Sequence, residues 1–176
     1  MSPVSVVHTW QLPEADRAAA RALLDEAFDG EFSDEDWEHA LGGVHALVRD
    51  DGGLIGHGAV VQRRMVVGGR VLRVGYVEGV AVRATHRRRG VGGLVMAALE
   101  DVLRGAYDLG ALSASEDALG LYAARGWQPW RGRTFAFTPE GVRRTEDEDD
   151  GVFVLPVRPV DLFADLTCDW RAGDVW

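Results

Sequence analysis

Several features are scarce in this chain of 176 residues. It has one cysteine, Cys168, which excludes an internal disulfide and any multi-thiolate metal site. Lysine is absent, so all 19 basic residues are arginine, and 28 acidic residues bring the formal net charge to -9. Such an acidic surface disfavours general nucleic-acid binding, because neutralising phosphates needs net positive charge. It favours small polycationic partners instead.

Long apolar runs are missing as well. No stretch approaches the roughly 20 apolar residues of a membrane span, and Met1–Leu12 lacks the basic start and apolar run of a secretion signal. The five histidines show no pairing at i, i+3 or i, i+4, which disfavours metal catalysis. We therefore expect a cytoplasmic protein with no metal and no membrane contact. The length predicts one domain, 1–176.

The periodicity of apolar residues predicts an α/β protein. A helix after Pro13 and a second helix, with Ser33 as its N-cap, precede a run of strands. The strands are expected at His45 to Arg49, Leu54 to Met65 and Val71 to Val82, where they would form an antiparallel meander.

The second half of the chain continues the alternation of helices and strands. Apolar residues recur at i, i+3, i+4 and i+7 from Val91 to Leu103, which predicts a helix. A short strand, Leu109 to Ser113, comes next, and Ser115 is expected to cap another helix. A further strand is expected at Val152 to Val157.

Two segments near the C-terminus stand apart. Pro139 to Gly151 is polar and holds five consecutive acids, Glu146 to Asp150, so we expect a mobile surface loop there. The last segment, Cys168 to Trp176, contains two tryptophans, and leaving both exposed would be unfavourable. We expect this tail to dock on the body of the protein.

The junction between the strand ending at Val82 and the following helix has the pattern of an anion site. Gly90 and Gly92 allow close approach of backbone N–H groups, the helix presents its positive end, and Arg87 to Arg89 add positive charge. A pyrophosphate fits such a turn. The segment lacks the Lys-Ser/Thr of a P-loop and the first glycine of a dinucleotide fingerprint. The alternative is a solvated arginine run at a tight turn.

These residues resemble the GCN5-related N-acetyltransferase (GNAT) family, whose acetyl-CoA motif corresponds here to Arg87-x-x-Gly90-x-Gly92. The later segment Leu121–Trp127 is similar to a second family signature. The resemblance implies an α/β (α+β) fold, with a central mixed, mostly antiparallel sheet flanked by helices. It also implies that the strand pairs with the pantetheine arm while the turn holds the pyrophosphate. The cofactor-binding residues would be Val80, Val82, Arg87, Arg88, Arg89, Gly90, Val91 and Gly92.

A closer resemblance covers nearly the whole chain and is to the aminoglycoside 2'-N-acetyltransferases. It rests on peptides that include Asp36–His39, Gly75–Arg83, Tyr122–Trp130 and the C-terminal Cys168–Trp176. The resemblance implies transfer of acetyl from acetyl-CoA to the 2'-amino group of an aminoglycoside. No covalent intermediate is required, so direct attack in a ternary complex is the simpler mechanism. It also implies a homodimer.

Acetyl transfer to an amine needs a base for the ammonium proton and an acid for the leaving thiolate. Glu78, near the end of the cofactor strand, is the candidate base, either directly or through a water. Tyr122 is the candidate acid, because a phenol can hydrogen-bond or protonate the departing sulfur. The alternatives are that Glu78 only holds the ammonium and that Tyr122 is a packing residue.

Substrate recognition is expected to depend on acids, because an aminoglycoside carries several ammonium groups. The resemblance assigns this role to Glu31, Asp36, Glu78, Ser113, Asp174 and the chain end at Trp176. One acid of Glu146 to Asp150 should contribute, and we assign Asp149, with Glu148 as the alternative.

Other functions remain open from the sequence alone. The same cofactor site could serve a different acceptor, such as another amino sugar, a thiol-sugar precursor or a polyamine. A non-catalytic acyl-CoA-binding module is the alternative from a different class. It would need neither Glu78 nor Tyr122.

Overall fold

Ten strands and four α-helices are formed by residues 4–176, the part of the chain that the computed structural model describes. The strands are β1 (Ser5–His8), β2 (Val44–Asp50), β3 (Gly53–Val67), β4 (Arg70–Val82), β5 (Leu109–Ser113), β6 (Gln128–Pro129), β7 (Thr134–Thr138), β8 (Gly141–Arg144), β9 (Val152–Pro156) and β10 (Leu166–Cys168). The helices are α1 (Glu14–Ala27), α2 (Asp34–Ala40), α3 (Val91–Ala106) and α4 (Leu119–Ala124). Of the segment Met1–Leu12, the first three residues lie outside the described part.

The chain divides into two units. The first comprises the residues up to Val61 together with Val77–Val102, and the second comprises Gln62–Tyr76 and Leu103–Trp176. The division falls within β3, β4 and α3, so each of these elements contributes one part to each unit. Within residues 4–176, no helix is both long enough and apolar enough to cross a membrane.

In the first unit, β1 pairs with β2 and β2 pairs with β3, both antiparallel. The start of α3 lies directly on β3, because Gly56 leaves room there for Val91 and Val95. A Cβ on Gly56 would stand only 2.6 Å from the Val91 side chain. The expected helix from Val91 is thus confirmed, and packing against the sheet accounts for its apolar stripe.

The start of α2 shows how the sequence sets a helix boundary. The Ser33 side chain accepts a hydrogen bond from the backbone N–H of Asp36, and the Asp36 carboxylate accepts one from the backbone N–H of Ser33. This reciprocal capping satisfies two backbone donors that the helix itself leaves unpaired. The prediction of Ser33 as an N-cap is confirmed.

The second unit contains the strand order β6-β9-β5-β4-β3-β10-β7-β8, with the first part of β4 and the last part of β3 at its centre. β4 pairs with β5 in parallel, and β10 pairs with β7 in parallel. Other neighbouring strands, such as β5 with β9 and β7 with β8, pair antiparallel. The expected mixed, mostly antiparallel sheet is therefore confirmed.

The prediction of a loop over Pro139 to Gly151 was wrong. Residues Gly141–Arg144 form β8, which pairs with β7, and Glu146–Glu148 form a short 3-10 turn. The polar composition misled the prediction, because a hairpin exposed to solvent carries no apolar alternation. Three of the four residues of β8 are exposed.

The helix expected after Ser115 begins later than predicted. Glu116–Ala118 form a 3-10 turn, and the α-helix itself, α4, spans only Leu119–Ala124. The Ser115 side chain makes no capping hydrogen bond. The acidic residues after Ser115 suit the start of a 3-10 turn and the start of an α-helix equally well. The sequence could therefore not distinguish the two kinds of helix.

Candidate active site

The turn between β4 and α3 belongs to the first unit and has the form expected of an anion site. Arg88 and Gly90 have positive φ angles of 58° and 84°. No heavy atom lies within 4 Å of the position where a Cβ on Gly90 would stand. The side chains of Arg87, Arg88 and Arg89 are exposed, and Arg87 Nε donates to the carbonyl of Val82 at 3.3 Å.

The residues of this turn fit a pyrophosphate group. The first N–H groups of a helix have no partner within the helix, and α3 is 16 residues long, so its dipole is well developed. Val91 and Gly92 carry two of these N–H groups. Val80 and Val82, in the last part of β4, are half-buried and come shortly before the turn.

Glu78 lies in β4, half-buried, four residues before the end of the strand. The next residue, Gly79, has a φ of 55°, which L side chains rarely adopt. A glycine with positive φ inside a strand is typical of a β-bulge, which re-aims the neighbouring side chains. The candidate base Glu78 therefore lies at an irregular point of β4.

A chain of buried hydrogen bonds leads to Gly79 from the interior of the first unit. His57 Nδ1 lies 2.7 Å from the Gly79 carbonyl oxygen, His57 Nε2 lies 3.0 Å from His45 Nδ1, and His45 Nε2 lies 2.7 Å from Thr9 Oγ1. Both imidazoles are fully buried. A carbonyl only accepts, so His57 carries its proton on Nδ1 and accepts from His45, which accepts from the Thr9 hydroxyl.

This histidine pair was not predicted. Spacings of i, i+3 and i, i+4 find neighbours within a helix, whereas His45 and His57 lie on two strands joined by a hairpin. His45 is opposite Ala59 in the register, so His57 is its diagonal neighbour. The turn at Asp50–Gly53 was the signal that could have revealed it, because a hairpin centred there brings these positions together.

Burial lowers the pKa of both histidines, to about 3 for His45 and about 4 for His57, so both are neutral near pH 7. The unfolded chain protonates them near pH 6.5 and the folded protein only at lower pH. Stability is therefore complete above pH 6.5 and falls as the pH drops toward 4. At pH 5 we expect a loss of about 2 kcal/mol for each histidine.

Denaturant unfolding at pH 7.5 and pH 5 measures this loss. The matched control is the double variant His45→Leu/His57→Leu, which removes both titrating groups from the apolar interior. Its free energy of unfolding should change much less between the two pH values than that of the wild type. An equal change in both proteins would contradict the assignment.

Glu31 and Asp36 also lie in the first unit, on either side of the start of α2. Glu31 is exposed and follows Asp29 and Gly30, which both have positive φ. One Asp36 oxygen is already engaged as the capping partner of Ser33. Asp36 therefore has a structural role, and a contact with substrate would have to use its other oxygen.

Tyr122 and Ser113 belong to the second unit. Tyr122 is buried on α4, with its ring centroid 6.0 Å from that of Trp127. Burial raises the pKa of the Tyr122 phenol to about 12. The phenol thus stays protonated at neutral pH, as a proton or hydrogen-bond donor requires. Ser113 is the exposed last residue of β5.

The C-terminal tail docks within the second unit, as expected. Trp176 is 3% exposed, and its Nε1 donates to Thr145 Oγ1 at 3.0 Å. The Trp176 backbone N–H donates to Asp174 Oδ1 at 3.1 Å, and Arg171 Nη2 donates to the Trp176 backbone oxygen at 2.9 Å. The other tryptophan, Trp170, is 52% exposed, so only one of the two is covered.

Asp149, which was predicted to contact the substrate, already has partners in Arg144 and Thr134. Its carboxylate forms an ion pair with Arg144 and accepts from the backbone N–H and the hydroxyl of Thr134, at 3.1 and 2.9 Å. The Arg144 hydrogen bond is the main cause that lowers the pKa of Asp149, to about 2. This carboxylate therefore fixes the base of the β7–β8 hairpin.

Glu148 has the opposite environment. Partial burial, together with the negative charges of Asp174 and Asp147, raises the pKa of its carboxyl. Glu148 and Asp174 are thus close enough to repel one another, and a cation between them would relieve that repulsion. Among the residues described, no group of three or more His, Cys, Asp or Glu is placed to hold a metal ion.

Solved structures of GNAT acetyltransferases share this fold. A GNAT family N-acetyltransferase from Escherichia coli, in complex with CoA, has a TM-score of 0.64 at 20% identity, over 93% of this chain and 87% of that one. A GNAT family acetyltransferase from Brucella melitensis, in complex with acetyl-CoA, has a TM-score of 0.63 at 18% identity, over 96% of each chain. The strands, the turn and α3 therefore define a protein of the GNAT fold class, as the sequence predicted.

Sequence comparison narrows the class. Residues 10–130 match the acetyltransferase (GNAT) domain family. An aminoglycoside 2'-N-acetyltransferase from Mycolicibacterium fortuitum is 54% identical, over 97% of this chain and 90% of that protein. The chain belongs to the GNAT acetyltransferases and, within them, to the aminoglycoside 2'-N-acetyltransferase family. The resemblance read from the sequence is confirmed.

Proposed function

We propose that this protein transfers the acetyl group of acetyl-CoA to the 2'-amino group of aminoglycosides. The main support for an aminoglycoside acceptor is the 54% identity, along nearly the whole chain, to a protein named for that reaction. The acidic charge of -9 agrees with a polycationic acceptor. The protein acts as one domain, residues 1–176, in the cytoplasm and as a homodimer.

Acetyl-CoA supplies the acetyl thioester when it is bound. The N–H groups at the start of α3 and the side chains of Arg87 to Arg89 hold its pyrophosphate, and the backbone of Val80 and Val82 orients its pantetheine arm. The protein has a net charge of -9, and this run of arginines provides a local region of positive electrostatic potential that attracts the pyrophosphate.

Glu78 and Tyr122 perform the proton transfers. Glu78 takes a proton from the acceptor ammonium, directly or through a water, so that the amine nitrogen can attack the acetyl carbonyl carbon. The carbon–sulfur bond then breaks, and the acylated nitrogen releases its second proton to solvent to give the neutral amide. Tyr122 hydrogen-bonds the departing sulfur or donates it a proton, which the phenol regains from solvent. Tyr122, with a pKa of about 12, is a weaker acid than a thiol. Its main contribution is therefore a hydrogen bond that strengthens as charge develops on sulfur.

Acids recognise the remaining ammonium groups of the acceptor. We assign this role to Glu31, Asp36 and Asp174. Ser113, with its hydroxyl, and Trp176 complete the proposed substrate-binding set. From the acidic segment we now assign Glu148, because the carboxylate of Asp149 is engaged by Arg144 and Thr134.

The matched substitutions Glu148→Gln and Asp149→Asn separate the two acids. Glu148→Gln should raise the KM for the aminoglycoside by roughly 10- to 150-fold, because a charged hydrogen bond contributes about 1.5–3 kcal/mol, and should leave the thermal midpoint nearly unchanged. Asp149→Asn should lower the thermal midpoint by breaking the Arg144 pair, with a smaller effect on KM. Steady-state kinetics and thermal unfolding of both variants measure this. The reverse pattern would restore Asp149 as the substrate contact.

Release of CoA thiol from acetyl-CoA tests the function itself. The acceptors are an aminoglycoside with a 2'-amine, the polyamine spermidine and the simple amino sugar glucosamine, each at several concentrations. We expect the highest kcat/KM for the aminoglycoside. A preference for spermidine or glucosamine would move the acceptor to another class of amine, and CoA binding without turnover would favour the binding-module alternative.

A further inference from the structure

The buried chain Thr9–His45–His57 has no role in the acetyl transfer described above. It ends on the carbonyl oxygen of Gly79, the residue that directly follows Glu78. Two fully buried imidazoles are costly to place in an apolar interior unless their nitrogens are satisfied. Here all four ring nitrogens have a partner, and the chain leads to the peptide that adjoins the candidate base.

The backbone at Gly79 departs from strand geometry and has a side-chain hydrogen-bond partner. Its φ of 55° interrupts the regular strand geometry of β4, and its carbonyl accepts from His57 Nδ1 at 2.7 Å. The side chains of Leu24 and His57 close around it, at 3.3 Å and 3.6 Å from the position where a Cβ would stand. The His57 ring therefore supports this irregular conformation both by packing and by a hydrogen bond.

We propose that His57 is a positioning residue for Glu78, which it orients by holding the Gly79 carbonyl at the irregular point of β4. His45 completes the device, because its Nδ1–H bond to His57 Nε2 fixes the tautomer in which His57 Nδ1 donates. The inference rests on the proposed role of Glu78 as the base.

The arrangement serves positioning rather than proton transfer. The partner of His57 at the Glu78 end is a backbone carbonyl, which cannot pass a proton on. Burial also lowers the pKa of His57 and of His45 far enough that both rings are neutral at working pH. A neutral, fully paired chain restricts motion, and small displacements of a catalytic group have large effects on rate.

Two variants of similar polarity test the proposal. In His57→Asn the side-chain amide can place an N–H where Nδ1 stood, whereas in His57→Gln the amide reaches only toward the position of Nε2. The Asn variant keeps the bond to Gly79 and the Gln variant loses it. We expect kcat to fall by about 10- to 100-fold in His57→Gln, and most of it to be restored in His57→Asn. The KM for acetyl-CoA should change little in either. Equal kcat values in the two variants would overturn the proposal.

A second comparison uses the Glu78→Gln background. If His57 acts through Glu78, then adding His57→Gln to Glu78→Gln should lower kcat no further, since groups that act as a unit are not additive. The same fold-loss in both backgrounds would indicate a general structural role and overturn the proposal. If Glu78→Gln alone leaves kcat unchanged, the base assignment fails; if it lowers kcat but His57→Gln does not, only the positioning role fails.

Nitrogen-15 NMR of the wild-type protein gives a readout that does not depend on activity. It should show a His57 imidazole protonated on Nδ1 and protected from exchange, unchanged between pH 6 and pH 8. An Nε2–H tautomer, or rapid exchange of this proton, would contradict the geometry and overturn the proposal even if the variants do not fold.

Discussion

Replacing Glu78 by Gln is expected to lower kcat/KM for the aminoglycoside by about 10²- to 10⁴-fold, the range that a positioned general base contributes. The amide keeps the size of the side chain and removes its ability to take a proton from the acceptor ammonium. The affinity for CoA should stay within about twofold, because the pyrophosphate is held by the turn at Arg87–Gly92. Steady-state kinetics and equilibrium binding of CoA measure the two quantities.

Glu14→Gln is the matched control, because it removes the same charge from an exposed position in the first turn of α1. Its kcat/KM should remain within about twofold of the wild type, since an isolated surface charge has little influence at a distance. If Glu78→Gln behaved like Glu14→Gln, Glu78 would neither take the proton nor bind the ammonium. A higher KM with an unchanged kcat would mean that Glu78 only holds the ammonium.

The second large effect is expected for Tyr122→Phe. Removing the hydroxyl should lower kcat by roughly 10- to 100-fold, at or below the lower end of the contribution of general acids, because a phenol with a pKa of about 12 donates a hydrogen bond more readily than it gives up its proton. The KM for the aminoglycoside should change little. The ring still packs against Trp127, so the fold should be retained.

Tyr107→Phe is the control for Tyr122→Phe. It also removes one phenolic hydroxyl from the second unit, but at a half-buried position that is not part of the assigned site. Single-turnover and steady-state measurements on both variants separate the chemical step from product release. Equal kcat values for Tyr122→Phe and Tyr107→Phe would remove Tyr122 from the mechanism.

The fold was predictable where a local pattern has one physical cause. The capping pair at Ser33 and the 3.6-residue period after Val91 both identified helices, because each pattern satisfies backbone groups or buries one face regardless of the rest of the chain. Short elements were not predictable in this way. β10 has three residues, which is too few for any period, and its position between β3 and β7 comes from pairing with distant residues.

The same distinction between local patterns and long-range contacts applies to the candidate site. The turn at Arg87–Gly92 could be found because glycine spacing, strand and helix are contiguous in sequence. The choice between Glu148 and Asp149 could not, since the difference between these neighbouring acids comes from Arg144 and Thr134. The His45–His57 pair likewise depends on the register of a hairpin.

The central claim is that the 2'-amino group of an aminoglycoside receives the acetyl group. Two aminoglycosides that are identical except for an amine or a hydroxyl at the 2' position test it most directly. The account predicts CoA thiol release and a single added acetyl mass with the 2'-amino compound, and neither with its 2'-hydroxyl counterpart. Equal acetylation of both compounds would place the acetyl group elsewhere on the sugar and contradict the claim.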